Sequence, residues 1–214
     1  PQEKILSIKP KGFILSGGPK SVYEENAPFI QKFILESGLP ILGICYGMQA
    51  LTHALGGKVD PSADREYGHA EIELLPSVSQ PSFSLLSNLS KVWMSHGDET
   101  AKLPEGFRLA AKSESGAVAA LEAPLKKLYA LQFHPEVTHS ENGIDLLRHF
   151  LVEISGLKAD WSMGDFITDE IARIRSKVPE GAHVVCALSG GVDSTVAATL
   201  VHRAIGDRLH CVFV

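Results

Sequence analysis

The sequence is poor in cysteine and carries no excess of positive charge. Its 214 residues include three cysteines, Cys45, Cys186 and Cys211. Their odd number and irregular spacing fit neither a disulfide framework nor a zinc site, and they predict a reducing, cytoplasmic compartment. The formal net charge is −5 and no basic block stands out. This charge balance argues against a nucleic-acid-binding protein.

Long hydrophobic runs are also missing. No stretch approaches about 18 consecutive apolar residues, so we expect no membrane-spanning helix and no membrane partner. The sequence shows no signal peptide, although it opens at Pro1 without a methionine. It closes on an apolar run, residues 209–214, with the pattern of a core strand. We therefore expect a piece of a longer protein.

The composition that remains is that of a globular protein. Hydrophobic residues make up 44% of the chain and charged residues 21%, which excludes disordered and collagen-like classes. Apolar runs bounded by glycine alternate with helical patterns, which predicts an α/β fold with a mixed, mostly parallel sheet and flanking helices. The predicted strands are 12–15, 41–44, 72–75, 92–94, 109–111, 118–121, 128–133 and 184–188. The predicted helices are 26–38, 47–55, 144–154, 167–178 and 195–205.

The character of the sequence changes near Ser155-Gly156. Residues 1–155 hold seven of the predicted strands and form the predicted first domain. After the change, Trp161-Ser162 is a predicted helix cap, followed by a linker helix, a strand, a glycine loop and another helix. We therefore assign residues 156–214 to the truncated start of a second α/β domain.

The segment Gly43-Ile44-Cys45-Tyr46-Gly47 lies between a buried strand and a helix. This is the layout of a nucleophile elbow with cysteine in place of serine. Glycines permit the sharp turn, the helix N-terminus stabilises a thiolate, and the Tyr46 N–H points at a developing oxyanion. The alternative is a buried structural cysteine in a strand-to-helix turn.

A cysteine nucleophile needs a base, and two histidines qualify. His134 ends an apolar strand, and Glu136 follows across Pro135, close enough to orient the imidazole. By itself this motif also fits a surface strand end with a charged neighbour. His96, in Trp93-Met94-Ser95-His96-Gly97-Asp98, is the main rival, and sequence order alone leaves both open.

The fourth motif is Ser16-Gly17-Gly18-Pro19, directly after the first predicted strand. It is either a plain turn or a pair of bare N–H groups for an oxyanion. Taken together and in this order, the four motifs resemble those of the class I (triad) glutamine amidotransferases, over about residues 11 to 155. The matching segments are Gly17-Gly18-Pro19, Gly43 to Gln49, Met94 to Asp98 and Gln132 to Val137.

The resemblance implies a glutaminase with a Cys45-His134-Glu136 triad. Cys45 attacks the side-chain amide of glutamine, His134 transfers the proton to departing ammonia, and Glu136 orients His134. The implied oxyanion- and glutamine-binding residues are Gly17, Gly18, Tyr46, Gln49, Ser95 and His96. In the family a strand and helix normally precede the point where this sequence begins, so we expect the N-terminal strand to be missing.

A second glycine loop, Ser189 to Thr195, follows a strand and opens a helix. It is either an ordinary turn with a helix cap or a pyrophosphate cradle, and it lacks the Gly-Lys of a Walker loop. It resembles the Ser-Gly-Gly-x-Asp-Ser loop of PP-loop ATP pyrophosphatases, which have an adenine nucleotide alpha hydrolase-like fold. The implied ATP-binding residues are Ser189, Gly190, Gly191, Val192, Asp193, Ser194 and Thr195. Asp193 would support Mg²⁺·pyrophosphate, with ATP and Mg²⁺ as co-substrate and no prosthetic group.

The two resemblances together imply a glutamine-dependent ligase that forms a C–N bond. Ammonia from glutamine would aminate XMP after ATP adenylates it, with release of AMP and pyrophosphate. The partners would be glutamine, XMP and ATP, and a C-terminal region outside this sequence would make a homodimer. Two other functions remain open: a stand-alone γ-glutamyl or glutamine hydrolase, and a regulatory nucleotide-binding module with vestigial sites.

Overall fold

The computed structural model describes residues 2–75, 90–160 and 162–214, without the side chains of residues 63 and 64. It divides the chain into two compact units, of which the first ends at Lys158 and the second begins at Ala159. Trp161, half of the predicted cap before the linker helix, lies outside the described residues. Each unit has its own helices and its own strands.

Strands of the first unit form a single mixed sheet. They are β1 (Phe13–Leu15), β2 (Ile41–Ile44), β3 (Lys58–Leu74), β4 (Ser90–Lys102), β5 (Arg108–Ser113), β6 (Val118–Ala123) and β7 (Leu128–Leu131). The helices are α1 (Gln2–Ser7), α2 (Lys32–Leu35), α3 (Tyr46–Ala54) and α4 (Gly143–His149), which continues as a π-helical turn over Phe150–Ile154. The spatial strand order is β1-β2-β7-β6-β5-β3-β4. The α/β class is confirmed.

The expectation of a mostly parallel sheet is wrong. Only β1, β2 and β7 run parallel, whereas β3 with β4, β3 with β5, β5 with β6, and β6 with β7 are antiparallel. The reason is the length of the connections. Residues 114–117 join β5 to β6, and a parallel crossover needs a dozen residues or more. Strands β5, β6 and β7 are therefore joined by hairpins.

The predicted helix over 26–38 is also largely wrong. Asn26, its expected cap, has a left-handed φ of 61°, and only Lys32–Leu35 is helical, preceded by an extended Gln31. Pro28 disfavours helical backbone at the residue before it, so the helix begins later than the apolar spacing indicates. The other predicted helices are observed, with α3 starting one residue earlier than expected.

Strand β2 is covered on both faces. Ile41 packs in one apolar cluster with Met48 and Leu51 of α3, whereas Leu42 and Ile44 pack in another cluster that includes Phe150. Alternation of side chains along a strand explains this division between two faces. Burial on both sides fixes the direction of β2, and its carboxyl end delivers Cys45 to the edge where parallel strands commonly present ligand sites.

The second unit is smaller and simpler. Helix α5 (Met163–Lys177) begins at the predicted cap Ser162, whose hydroxyl accepts the N–H of Asp165 at 3.1 Å. Strand β8 (Val184–Leu188), helix α6 (Val192–Ile205) and strand β9 (Leu209–Phe213) follow. Strands β8 and β9 pair in parallel through the α6 crossover. Within the described ranges, no helix has both the length and the apolar character that a membrane crossing requires.

Candidate active site

Cys45 occupies the sharp turn between β2 and α3. Its backbone has φ 53° and ψ −111°, a conformation that L-residues rarely adopt. The Cys45 N–H donates to the carbonyl of Leu131 at 2.7 Å, which ties the turn to the end of β7. The side chain is 6% exposed. The turn is thus the strained strand-to-helix elbow that the sequence motif predicts.

Two glycines make this turn sterically possible. A Cβ on Gly47 would lie 2.0 Å from the carbonyl oxygen of Leu15, and a Cβ on Gly43 would lie 2.6 Å from that of Gly47. Both distances are far inside van der Waals contact, so β1, β2 and α3 approach each other only because these side chains are absent. Tyr46, as the first residue of α3, has an N–H without an intrahelical acceptor.

His134 lies beside Cys45 and is held by Glu136. The His134 Nδ1 lies 2.7 Å from Glu136 Oε1. The main chain of His134 is fixed on both sides, since its N–H donates to the Trp93 carbonyl at 3.0 Å and its carbonyl accepts the Ser140 hydroxyl at 2.6 Å. These contacts orient the imidazole so that its other ring nitrogen faces the thiol.

A hydrogen bond that the His134 ring donates to the Cys45 sulfur raises the pKa of His134 to about 9, with Glu136 contributing in the same direction. Burial acts against this shift, because it penalises the imidazolium, but the two partners outweigh it. His134 is therefore protonated at neutral pH. The pair is poised as an imidazolium next to a sulfur nucleophile, the arrangement found in activated cysteine sites.

His96, the rival base, is engaged elsewhere. Its Nδ1 lies 3.0 Å from the carbonyl oxygen of Asp98, and its Nε2 lies 2.9 Å from Glu66 Oε2. Both ring nitrogens are therefore occupied by other acceptors, and neither is free to take a proton from Cys45. The geometry favours His134, the alternative that sequence order left open.

The predicted oxyanion segment lies against the same pair of side chains. A Cβ on Gly17 would lie 3.2 Å from His134 Cε1 and 3.7 Å from Cys45 Cβ, and a Cβ on Gly18 would contact the Tyr46 ring at 3.4 Å. The Gly17-Gly18 backbone and the start of α3 thus converge on Cys45. Both segments that the sequence predicts to supply oxyanion N–H groups therefore lie next to Cys45.

A cleft of about 550 Å³ opens beside Cys45. Gln49 lines it and donates its amide N–H to the Asp98 carbonyl at 3.2 Å and to Gln132 Oε1 at 3.3 Å. The Asp98 carboxylate, which sequence reasoning did not select, also lines the cleft and accepts the Tyr23 hydroxyl at 2.6 Å. This acceptor raises the pKa of Tyr23. The predicted residues Ser95 and His96 line the cleft as well.

The second predicted site lies in the second unit, at the connection from β8 to α6. Ser189, Gly190 and Gly191 form the loop, and Val192, Asp193, Ser194 and Thr195 form the first turn of α6. Gly190 has φ 77°, which a glycine adopts readily. The hydroxyls of Ser194 and Thr195 both donate to the Gly191 carbonyl, at 3.1 and 2.9 Å. Asp193 is exposed at this helix N-terminus.

Among the described residues, no group of three or more His, Cys, Asp or Glu side chains is arranged to hold a metal ion. The donors of the Ser189 to Thr195 turn are backbone N–H groups and hydroxyls. That set suits phosphate oxygens. Asp193 is the acidic side chain in the turn to which a metal bound to a phosphate group would be adjacent.

Comparison with known proteins shows the family of this chain. A family model for class I glutamine amidotransferases matches residues 1–154. A glutamine-hydrolysing GMP synthase of Dehalococcoides mccartyi is 53% identical over 219 aligned residues, which cover 100% of this chain and 40% of the relative. That of Syntrophomonas wolfei is 50% identical over 212 residues, covering 99% of this chain and 41% of the relative. The chain therefore spans about two fifths of the length of these curated relatives.

A solved structure agrees with the fold of the first unit. A candidate GMP synthase protein from Thermoplasma acidophilum superposes with a TM-score of 0.57 at 33% identity, covering 68% of this chain and 72% of that one. The family model covers most of the chain, and its match includes all four motifs around Cys45. The chain belongs to the class I glutamine amidotransferase family.

Proposed function

We propose that this chain hydrolyses glutamine at a Cys45-His134-Glu136 triad and that the longer protein uses the ammonia to convert XMP to GMP. The observation that carries the glutaminase is the contact of Cys45 with an imidazole that Glu136 holds at 2.7 Å. The cleft beside Cys45 is lined by carboxylate, amide and hydroxyl groups. Such a lining suits a small zwitterionic substrate such as glutamine.

In the first half-reaction the Cys45 sulfur attacks the side-chain amide carbon of glutamine. A C–S bond forms, and the carbonyl oxygen becomes an oxyanion that the N–H groups of Gly18 and Tyr46 stabilise. The His134 imidazolium gives its proton to the amide nitrogen, and the C–N bond breaks. Ammonia departs and a glutamyl thioester remains on Cys45.

In the second half-reaction water attacks the thioester. His134, now neutral, accepts a proton from the water as the new C–O bond forms. The C–S bond breaks, glutamate leaves, and the sulfur returns as a thiolate beside the imidazolium. Glu136 stabilises the imidazolium in both halves and keeps the same ring nitrogen directed at Cys45.

The identity of the ammonia acceptor rests on the relatives. The alignments to GMP synthases extend through the second unit, since they cover 99–100% of the chain. The Ser189 to Thr195 loop supports binding of ATP, with Mg²⁺ bound to the pyrophosphate group near Asp193. ATP would adenylate O2 of the xanthine ring of XMP, and ammonia would displace AMP to give GMP. As the sequence resemblance implies, we also expect the longer protein to be a homodimer.

The testing experiment measures GMP formation by the full-length protein from XMP, ATP and Mg²⁺, with either glutamine or ammonium as nitrogen source. Cys45→Ala should lose the glutamine-driven reaction by at least about 10⁴-fold and keep the ammonium-driven one. Cys211→Ala is the matched control, since this exposed cysteine lies on β9 in the second unit. It should leave both reactions unchanged.

Other outcomes separate the alternatives. Glutamine hydrolysis without GMP formation from either nitrogen source would indicate a stand-alone hydrolase. Absence of a glutamyl thioester on Cys45 would indicate a vestigial module. Asp193→Ala tests the second site, because loss of Mg²⁺·pyrophosphate should impair the glutamine-driven and ammonium-driven reactions equally. An effect on only one of them would refute that role for Asp193.

A further inference from the structure

A mostly buried carboxylate in the first unit lies at the centre of a polar network that the proposed chemistry does not use. Glu66 Oε2 lies 2.9 Å from Nε2 of His96, and the two side chains are 13% and 1% exposed. Glu66 Oε1 accepts the hydroxyls of Ser113 and Ser115, both at 2.7 Å. Every oxygen of this carboxylate is therefore occupied by a donor, as a buried ionised group requires.

The network joins three strands. Glu66 on β3 pairs directly with His96 on β4, Ser113 ends β5, and Ser115 lies in the turn that follows. Burial raises the pKa of Glu66, but the hydrogen bonds from Ser113, Ser115 and His96 together lower it below its usual value. Glu66 is therefore an anion. Its contacts fix both the position of β3 against its neighbouring strands and the position of His96.

His96 contacts acceptors on both sides of its ring. Nε2 faces the Glu66 carboxylate, and Nδ1 faces the Asp98 carbonyl at 3.0 Å. Both ring nitrogens therefore face acceptors, since a carboxylate and a carbonyl have no hydrogen to donate. The His96 ring thus links the Glu66 carboxylate to the main-chain carbonyl of Asp98, with one hydrogen bond to each. The bond to the carboxylate is the stronger kind, because its acceptor is charged.

That main-chain segment is a wall of the cleft. The Ser95 carbonyl oxygen lies 3.5 Å from Cys45 Sγ, and the Asp98 carbonyl also accepts the Gln49 amide at 3.2 Å. Ser95, Gln49 and Asp98 all line the cleft. A shift of the His96 ring would therefore move the groups that face the substrate, while the His134 contacts described above involve other partners.

We infer that Glu66 is a positioning residue of the glutaminase, which fixes the 95–98 segment against Cys45 through His96. The inference rests on the proposed function, because it assigns Glu66 to the glutamine side of that same site. It separates two parts of the site. The Cys45–His134–Glu136 contacts set the reactivity of the sulfur, and the Glu66–His96 contacts set where the substrate lies.

Two alkylating probes distinguish these parts in the intact chain. Iodoacetamide needs only a reactive Cys45, whereas 6-diazo-5-oxo-norleucine, a glutamine analogue, must also bind in the cleft. Glu66→Ala should lower kcat/KM for glutamine by about 100-fold, mainly through KM, and should slow the analogue similarly. The iodoacetamide rate at Cys45 should stay within about threefold, which also shows that the variant is folded.

Glu66→Gln is the conservative variant. Its amide retains an acceptor for Ser113 and Ser115 and donates to a neutral His96, whose Nδ1–H still reaches the Asp98 carbonyl. It should restore most of the KM that Glu66→Ala loses. The double variant Ser113→Ala, Ser115→Ala should raise KM by a smaller factor, since it keeps the His96 contact. Glu73→Ala, an exposed carboxylate on β3, is the matched control and should change nothing.

The outcomes separate the inference from the proposed function. If the parent chain hydrolyses no glutamine, the proposed function fails before any variant is compared. If the parent is active and Glu66→Ala keeps its KM and its analogue rate, the positioning role is refuted alone. Equal losses of the analogue and iodoacetamide rates would also refute it, because they would mean general disruption. Failure of Glu66→Gln to restore KM would contradict the hydrogen-bonding geometry assigned to Glu66.

Discussion

The two glycine-bounded turns of this chain have the same order, strand then turn then helix, but they are built differently. At the first turn the strained residue is Cys45, with φ 53° and ψ −111°, and seven of the nine residues of α3 are buried. At the second turn the positive φ of 77° falls on Gly190, and three of the fourteen residues of α6 are buried. Close packing around the Cys45 side chain fixes the first turn, whereas the glycine backbone alone shapes the second.

This difference follows from the chemical group that each turn serves, a nucleophilic sulfur atom at the first and a bound phosphate group at the second. A nucleophile is a single atom, and a strained residue persists only where its surroundings fix it in place. A phosphate group is bound by several N–H groups at a helix N-terminus, so glycine backbone and exposure serve it better than packing. The comparison therefore predicts that the first turn is sensitive to an added side chain at Gly47 and that the second tolerates one at Gly191.

Alanine at one glycine of each turn gives the largest contrast. In Gly47→Ala the new Cβ would lie 2.0 Å from the Leu15 carbonyl oxygen, so β1 and α3 must separate. We expect a loss of about 3 kcal/mol in the free energy of unfolding and loss of glutaminase activity. In Gly191→Ala the new Cβ would lie 3.5 Å from Ser189 Oγ, an ordinary contact at an ordinary φ of −75°. We expect a change within about 0.5 kcal/mol.

Urea denaturation monitored separately in each unit measures both changes, with amide hydrogen exchange to assign the transitions. A Gly47→Ala protein with parental stability would show that β1 and α3 are not held together as described. A Gly191→Ala protein destabilised as much as Gly47→Ala would remove the contrast between the turns.

The pKa of His134 tests the contact between Cys45 at the first turn and the His134 ring. Cys45→Ala removes the first cause of the raised pKa, so the pKa should fall from about 9 toward its ordinary value of 6.5. Glu136→Gln removes a smaller cause and should lower the pKa less. NMR titration of the His134 ring gives both values. An unchanged pKa in Cys45→Ala would contradict the contact between the two side chains.

The sign of the stability change follows from the same shift. A raised histidine pKa stabilises the folded chain at pH values below 6.5, and this contribution is lost as the pH rises through about 9. The parent should therefore lose stability relative to Cys45→Ala across that interval. The glutaminase should lose rate over the upper part of the interval, because neutral His134 cannot protonate the leaving ammonia. Denaturation midpoints measured at several pH values check the sign.

The sequence identifies the local features of the fold better than its connections. Strands 41–44 and 184–188 appear where their apolar runs predict them, because a short apolar run between glycines has few alternatives. The apolar and helical patterns predict a mostly parallel sheet, although the four residues that join β5 to β6 already require a hairpin. The length of a connection therefore predicts strand direction where the apolar and helical patterns do not. The short α2 shows the same limit, since Pro28 overrides the apolar spacing.

The site is predictable as a set of motifs but not as a network. His96 and His134 both follow strand-like runs, and only spatial contacts show that His96 is bound to Glu66 while His134 faces Cys45. Glu66 is 30 residues from His96 in sequence, and Ser113 is 47 residues from Glu66. Nothing local connects them before the register of β3 with β4 and β5 is known. Residues that position other residues are therefore the ones that sequence reasoning misses.

Strain at Cys45 can be isolated with two inactive variants. Cys45→Ala and Cys45→Gly both remove the thiol, but only glycine relaxes the φ of 53° and ψ of −111°. If the packed turn stores strain, Cys45→Gly should be more stable than Cys45→Ala by about 1 kcal/mol, although glycine ordinarily costs stability through chain entropy. Chemical denaturation compares the two directly. The opposite order of stability would mean that the turn is relaxed.

Ser194→Ala gives the smallest expected change and tests the backbone-built turn. The Ser194 hydroxyl donates to the Gly191 carbonyl at 3.1 Å in an exposed position, where water replaces it at little cost. We expect the free energy of unfolding of the second unit to change by less than about 0.5 kcal/mol. Hydrogen exchange of the first-turn N–H groups of α6 should also stay at parental rates. Faster exchange would mean that the Ser194 hydroxyl, and not the backbone, shapes this turn. Both turns would then depend on side-chain contacts.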